Sequence, residues 1–154
     1  MVEWHRNLTS LLTSERIDRI GLSMYPQWDG GSTFESVAAL GALAQAFPSQ
    51  RIYVAETAYP AAGTAPGPER GFPPTAQGQL GFLRAVRAAM ASALPASSNG
   101  GVLWWERDEH GAYNSLFDAH YVARPALLQG FRDADATRAH EGASAVHERV
   151  NESV

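Results

Sequence analysis

The sequence predicts an α/β protein built on parallel strands. Three observations carry the prediction: short apolar runs alternate with longer segments of helical periodicity, each run is apolar on both faces, and turn residues punctuate the joins. Composition agrees. Hydrophobic residues make up 45% of the 154 and charged residues 18%, which suits a chain that buries a core and not a disordered one. The length fits one domain.

The elements follow in order. Residues 3–16 read as a helix, with Trp4, Leu8, Leu11 and Leu12 at helical spacing. RIGLSMYP (19–26) reads as a buried strand closed by Pro26, with the turn Asp29-Gly30-Gly31 close behind. Residues 34–47 form the next helix, capped by Ser32 or Thr33 and carrying Glu35 in its first turn. RIYVAETAYP (51–60) is a second strand, again closed by a proline. Residues 61–74, rich in Pro, Gly and Ala, form a long loop. Thr75 caps a helix over about residues 77–94, with Leu80, Leu83, Val86 and Met90 on one face. After a turn at 97–101 comes a third strand, GVLWWE (101–106), and later a short helix near 125–131. The tail, 133–154, mixes charges with Ala and His and is expected to be weakly ordered or a solvated helix, which divides the chain into 1–132 and 133–154.

Several function classes are excluded. Twelve arginines against sixteen acidic residues leave a net charge of −4, whereas a nucleic-acid binder needs a basic footprint. Cysteine is absent, which removes disulfides and thiolate metal sites. No apolar run reaches the ~18 residues of a membrane span. The N-terminus has Glu3 ahead of its first arginine and no long apolar stretch, unlike a signal peptide. There is no phosphate loop, GxSxG, HExxH or calcium-loop pattern, and no cofactor is expected. The histidines, at 5, 110, 120, 140 and 147, lack ligand spacing and read as surface or tail residues.

Parallel strands joined by same-handed crossovers bring all their C-terminal ends to one edge, where α/β proteins bind ligands. Those ends read MYPQW, AETAYP and WWERD. Glu56 ends an apolar strand, where a carboxylate is costly unless it is paired or used. It is either a site residue or a solvated, salt-bridged strand end. Trp28, Trp104 and Trp105 are platforms for flat ligand faces or core fillers. Tyr25 and Tyr59 either donate hydrogen bonds into a cleft or pack against the following helix. Carboxylate and aromatics together suggest a carbohydrate site, since sugars combine apolar ring faces with hydroxyls.

Glu106 is a candidate partner for Glu56, because adjacent strands lie ~4.8 Å apart and retaining glycosidases space their carboxyls by ~5–5.5 Å. Alternation opposes it. Leu103 and Trp105 share one side, and Val102, Trp104 and Glu106 the other, so only one of Trp105 and Glu106 looks into the site. Ile52 and Val54 are expected to point inward, away from the helices.

At these residues the chain resembles glycoside hydrolase family fifty-three, the arabinogalactan endo-β-1,4-galactanases. The family's sixth-strand motif, D-x-I-G-L-S-Y-Y-P-x-W-H-G, is similar to Asp18 through Gly30, with Met24 in place of the second-last Tyr before Pro26 and Asp29 in place of His. The seventh-strand motif V-x-E-T-A-Y-P matches Val54 through Pro60. S-P-x-G-Q corresponds to Thr75 through Gln79, and Y-W-E-P to Trp104-Trp105-Glu106-Arg107. The closing L-F-D…L-P-A-L matches Leu116-Phe117-Asp118 and Arg124-Pro125-Ala126-Leu127.

The resemblance, over residues 5–131, implies a (β/α)8 barrel that hydrolyses β-1,4-galactan, the pectin side chain, with retention. Such a barrel takes ~250 residues, so residues 1–132 correspond to its last three strands. Glu56 is then the nucleophile, Trp105 the floor beneath the sugar at the scissile bond, and Tyr25, Trp28 and Tyr59 cleft residues. The family's acid/base glutamate follows an Asn on the fourth strand. The Asn151-Glu152 pair here lies in the tail. The implied partners are galactan or arabinogalactan and an N-terminal barrel portion carrying the acid/base, and the implied location is extracellular. Some bacterial relatives hold a structural calcium near the eighth strand, where Asp108, Glu109 and Asn114 supply oxygens or are solvated loop residues. Two alternatives stand beside the galactanase: a non-catalytic galactan-binding remnant, and another retaining glycosidase of the same clan.

Overall fold

Three β-branched and aliphatic runs become three parallel strands in the computed structural model, which describes residues 2–11, 17–25, 33–62, 72–105, 115–118, 120–126 and 128–133. Helix α1 (Val2–Leu11) leads into β1 (Arg19–Ser23), followed by α2 (Thr33–Ala46), β2 (Arg51–Thr57), α3 (Ala76–Ala93) and β3 (Asn99–Trp104). The sheet order is β1-β2-β3, all parallel. This is the predicted α/β alternation, and all three C-terminal strand ends lie along one edge.

The core fills the space between one face of the sheet and helices α2 and α3. Ile20, Met24, Ile52 and Val54 project from the sheet onto Leu40 and Leu43 of α2 and onto Phe82, Leu83, Val86 and Met90 of α3. Each such side chain contributes about 1.5–3 kcal/mol of transfer free energy. Ile52 and Val54 therefore face the helices, which corrects the expectation that they point inward. The other face of β2 carries Tyr53 and Ala55. A Cβ at Gly21 would sit 2.8 Å from the Ala55 Cβ and 3.1 Å from the Tyr53 ring, so the neighbouring position on β1 must be glycine.

Helix α3 starts as its sequence predicts. Thr75 is its N-cap, and the Thr75 hydroxyl accepts from the Gly78 N–H at 3.1 Å. The buried Gln79 amide donates to the Tyr59 carbonyl at 2.9 Å and ties this helix to the end of β2. β3 begins earlier than its apolar run. Asn99 pairs with Ile52, and Tyr53 pairs with Gly101, so Gly100 is an extra residue in the ladder. Gly101 adopts φ 91° there, and its N–H donates to the Asn99 side chain at 3.0 Å.

Helix α1 departs from its apolar pattern. Trp4 is 63% exposed, whereas His5 is buried with its ring edge-on to Phe47. His5 is thus a packing residue and not a surface histidine.

Residues 115–118 and 120–126 form a closing turn. Phe117 and Ala123 make an antiparallel bridge, and the Asp118 carboxylate accepts from the N–H groups of His120 (2.8 Å) and Val122 (3.0 Å). Residues 125–126 and 128–133 are helical, with Pro125 at the start, where its missing N–H costs nothing. Arg87 donates to the Gly130 carbonyl at 2.9 Å, and Arg84 pairs with Asp133, so this helix docks on α3. The predicted tail from 134 onward lies outside the described residues.

Candidate active site

Strict alternation from Ile52 and Val54 would drive Glu56 into the helix layer. The strand avoids this with a β-bulge. Leu22 pairs with Val54 but Ser23 pairs with Glu56, and on the other side Val54 pairs with Val102 while Thr57 pairs with Trp104. One extra residue in β2, at Ala55–Glu56, thus faces no partner of its own. Its effect is a change of phase. Thr57 takes the buried helix side, and Glu56 turns to the open face beside Ser23. There the Ser23 hydroxyl donates to Glu56 Oε2 at 2.9 Å. The ladder resumes beyond the bulge through Met24 N–H to the Glu56 carbonyl and Trp105 N–H to the Thr57 carbonyl, both at 2.8 Å.

The end of β3 sorts its tryptophans by face. Trp104 is buried edge-on to Phe82, at 6.3 Å between ring centroids. Leu103 and Trp105 are 56% and 47% exposed on the opposite face. That is the side assignment alternation predicts for these three residues. Glu106 lies outside the described residues, as do Trp28, Asp29, Asp108, Glu109 and Asn114.

Tyr25 is half-buried and packs against the core, next to Met24, which is buried in it. The Met24 departure from the family motif therefore falls in the helix layer. Tyr59 does not line an open cleft. It is fully buried, stacked on Phe82 with centroids 4.6 Å apart, and its hydroxyl donates to the Phe72 carbonyl at 2.7 Å. Of the two alternatives, packing wins, because the residues after Thr57 turn back toward α3. Ser23 is the residue that sequence reasoning passed over. Its signal was slight: one hydroxyl two positions before Tyr25 in an otherwise apolar strand.

Among the described residues no three of His, Asp and Glu come together as a metal site would require. Three other described carboxylates are engaged or lie away from this edge. Asp18 precedes β1 at its far end, Asp133 is held by Arg84 and Gln129, and Asp118 is bound within its own turn. A cavity of about 380 Å³, lined by Arg51, Arg87, Met90, Leu94 and Val102, sits toward the starts of the strands. Arg51 and Glu56 are about 16 Å apart along the strand, so that cavity is separate from the Glu56 edge. What the open face offers is one carboxylate that accepts from a hydroxyl, with an exposed tryptophan just past the end of the neighbouring strand β3.

The parallel α/β architecture is that of part of a (β/α)8 barrel, a fold also found in solved structures of glycoside hydrolases. It matches a fungal β-1,4-galactanase structure at TM-score 0.67 and 22% identity, over 82% of this chain and 42% of that one. It also matches the Ignisphaera aggregans GH53 catalytic domain (0.63, 23%, 82% and 42%) and the catalytic core of xylanase A (0.62, 17%, 86% and 44%). At these identities the likeness is one of fold. Within that class, the chain belongs to glycosyl hydrolase family 53, whose family model matches residues 2–147. It is 34% identical over 105 residues to the probable arabinogalactan endo-beta-1,4-galactanase A of Aspergillus terreus (strain NIH 2624 / FGSC A1156). That alignment takes in 63% of this chain and 28% of the relative, so the chain spans less than half the length of the proteins it matches.

Proposed function

We propose that the chain is the nucleophile-bearing part of an endo-β-1,4-galactanase that cleaves the galactan side chains of pectin with retention of configuration. The observation that carries this reading is the bulge in β2, which turns Glu56 onto the open face at the C-terminal strand edge. The family membership and the galactanase relative support the substrate class. In this reading Glu56 attacks the anomeric carbon, Trp105 lies beneath the sugar, and Tyr25 and Trp28 border the cleft. Retention requires a second carboxyl that protonates the leaving oxygen and then activates water. A further barrel portion carrying the family's Asn-Glu pair supplies it, and the assembled enzyme acts outside the cell.

The test mixes this chain with a co-expressed polypeptide bearing the remaining strands and follows release of reducing ends from galactan. Cleavage is expected in the mixture and not from the chain alone. Glu56→Gln is expected to lower turnover in the mixture by a factor of about 10³ or more, because no covalent glycosyl intermediate forms. Rapid cleavage by the purified chain, or near wild-type turnover with Glu56→Gln, overturns the reading.

A further inference from the structure

A glutamate on an open sheet face has three free side-chain torsions, and in water it samples many rotamers. Among the described residues the Glu56 side chain has one hydrogen bond, from the Ser23 hydroxyl to Oε2 at 2.9 Å. Two features of the backbone create that contact. The extra residue in β2 brings position 56, and not 55, opposite Ser23. Residues directly opposite on neighbouring strands have Cβ atoms about 4.5–5.5 Å apart, a gap that a serine and a glutamate side chain together span. In a ladder without the bulge Ser23 would oppose Ala55, and its hydroxyl would face a methyl group.

We propose that Ser23 is a positioning residue for the Glu56 carboxylate, fixing Oε2 so that Oε1 is the oxygen presented to the sugar. The assignment rests on Glu56 being the nucleophile. In the first step the Oε1–C1 bond forms and the glycosidic C1–O bond breaks. The electron pair stays on the leaving oxygen, which takes a proton from the second carboxylic acid. Water then attacks C1, gives its proton to that carboxylate, and releases Glu56 as the anion. Ser23 takes part in no bond change. Its hydrogen bond to a charged acceptor is stronger than one between neutral groups, and it limits the rotation that would turn Oε1 away from the anomeric carbon.

The experiment compares Ser23→Ala and Ser23→Thr with the wild type by two readouts. The first is independent of catalysis: side-chain NMR couplings of Glu56, with only this chain isotopically labelled, in the full chain or in its co-expressed assembly. A single rotamer is expected for wild type and Ser23→Thr, and rotamer averaging for Ser23→Ala. The second is galactan cleavage by the assembly. Ser23→Ala is expected to lower kcat/KM by about 10- to 100-fold, and Ser23→Thr to restore it to within about threefold. Ser23 is exposed, so the alanine removes no buried atoms, and circular dichroism and melting temperature are expected to match wild type. An averaged Glu56 in the wild type, or a fixed one in Ser23→Ala, overturns the proposal. So does unchanged kcat/KM in Ser23→Ala when Glu56→Gln abolishes cleavage. If Glu56→Gln itself retains cleavage, the nucleophile reading has failed, and the NMR arm still decides whether Ser23 fixes the carboxylate.

Discussion

Thr57 sits one position past Glu56 and points the opposite way. Its side chain is fully buried, and its hydroxyl oxygen has no hydrogen-bond partner among the described residues. A buried hydroxyl without a partner loses its hydration for nothing, at a cost of about 1–3 kcal/mol. Thr57→Val is therefore expected to leave stability unchanged or raise it by up to about 2 kcal/mol, read from urea midpoints. A loss of stability in that variant would show that the hydroxyl is hydrogen-bonded. Residue identity at this edge was legible in the sequence, since Glu56 and Trp105 stood out as polar and aromatic ends of apolar strands. Their neighbours were less so. Tyr59 and Trp104 carry the same chemistry as Tyr25 and Trp105, and only the turn back toward α3 and the strand phase separate packing from exposure.

Among the elements, helix α3 was the most legible, because a threonine cap and an i, i+3 apolar face both signal it locally. β3 began before its apolar run because the Asn99-Gly100-Gly101 segment, a turn by composition, pairs with β2 through a glycine bulge. The closing turn shows how local charge fixes a short element. The N–H groups of Val122 and His120 hold the Asp118 carboxyl below its ordinary range of about 3.9. A depressed folded value means that this contribution is complete above the unfolded pKa and is lost as pH falls through the folded one. Amide exchange at His120 and Val122 is accordingly expected to be pH-independent in its protection above about pH 5 and to lose protection below about pH 4. Asp118→Asn keeps an acceptor oxygen and is expected to remove that pH dependence. Protection in the wild type that persists unchanged to pH 2 would contradict the assignment.

At the scale of the whole molecule, the three described strands leave the outer edges of β1 and β3 without strand partners among the described residues. Leu103 and Trp105 are exposed on the same open face. Unpaired parallel edges beside apolar side chains promote association. The chain on its own is expected to show concentration-dependent species in sedimentation velocity and to bind the dye ANS, and both signs should fall when the proposed complementary barrel portion is added. A monodisperse monomer that binds no dye would contradict this. The parallel order and the common strand edge were legible from the alternation of segments. That Ile52 and Val54 face the helices was not, because runs apolar on both faces carry no mark of which face is which.

The extra residue in β2 has a consequence for how this strand tolerates change in length. Up to Val54 its odd and even positions are set by the helix layer, and from Glu56 onward they are set by the open face. Substitutions at Ile52 or Val54 alter packing but leave the parity of the strand intact. Loss of one codon at Ala55 would disturb neither layer. It would remove the extra residue, so that Glu56 follows Val54 directly, stays on the open face opposite Ser23, and keeps Thr57 on the buried side. The strand thus carries one residue more than its pairing needs, and a shortening by one is absorbed at that point.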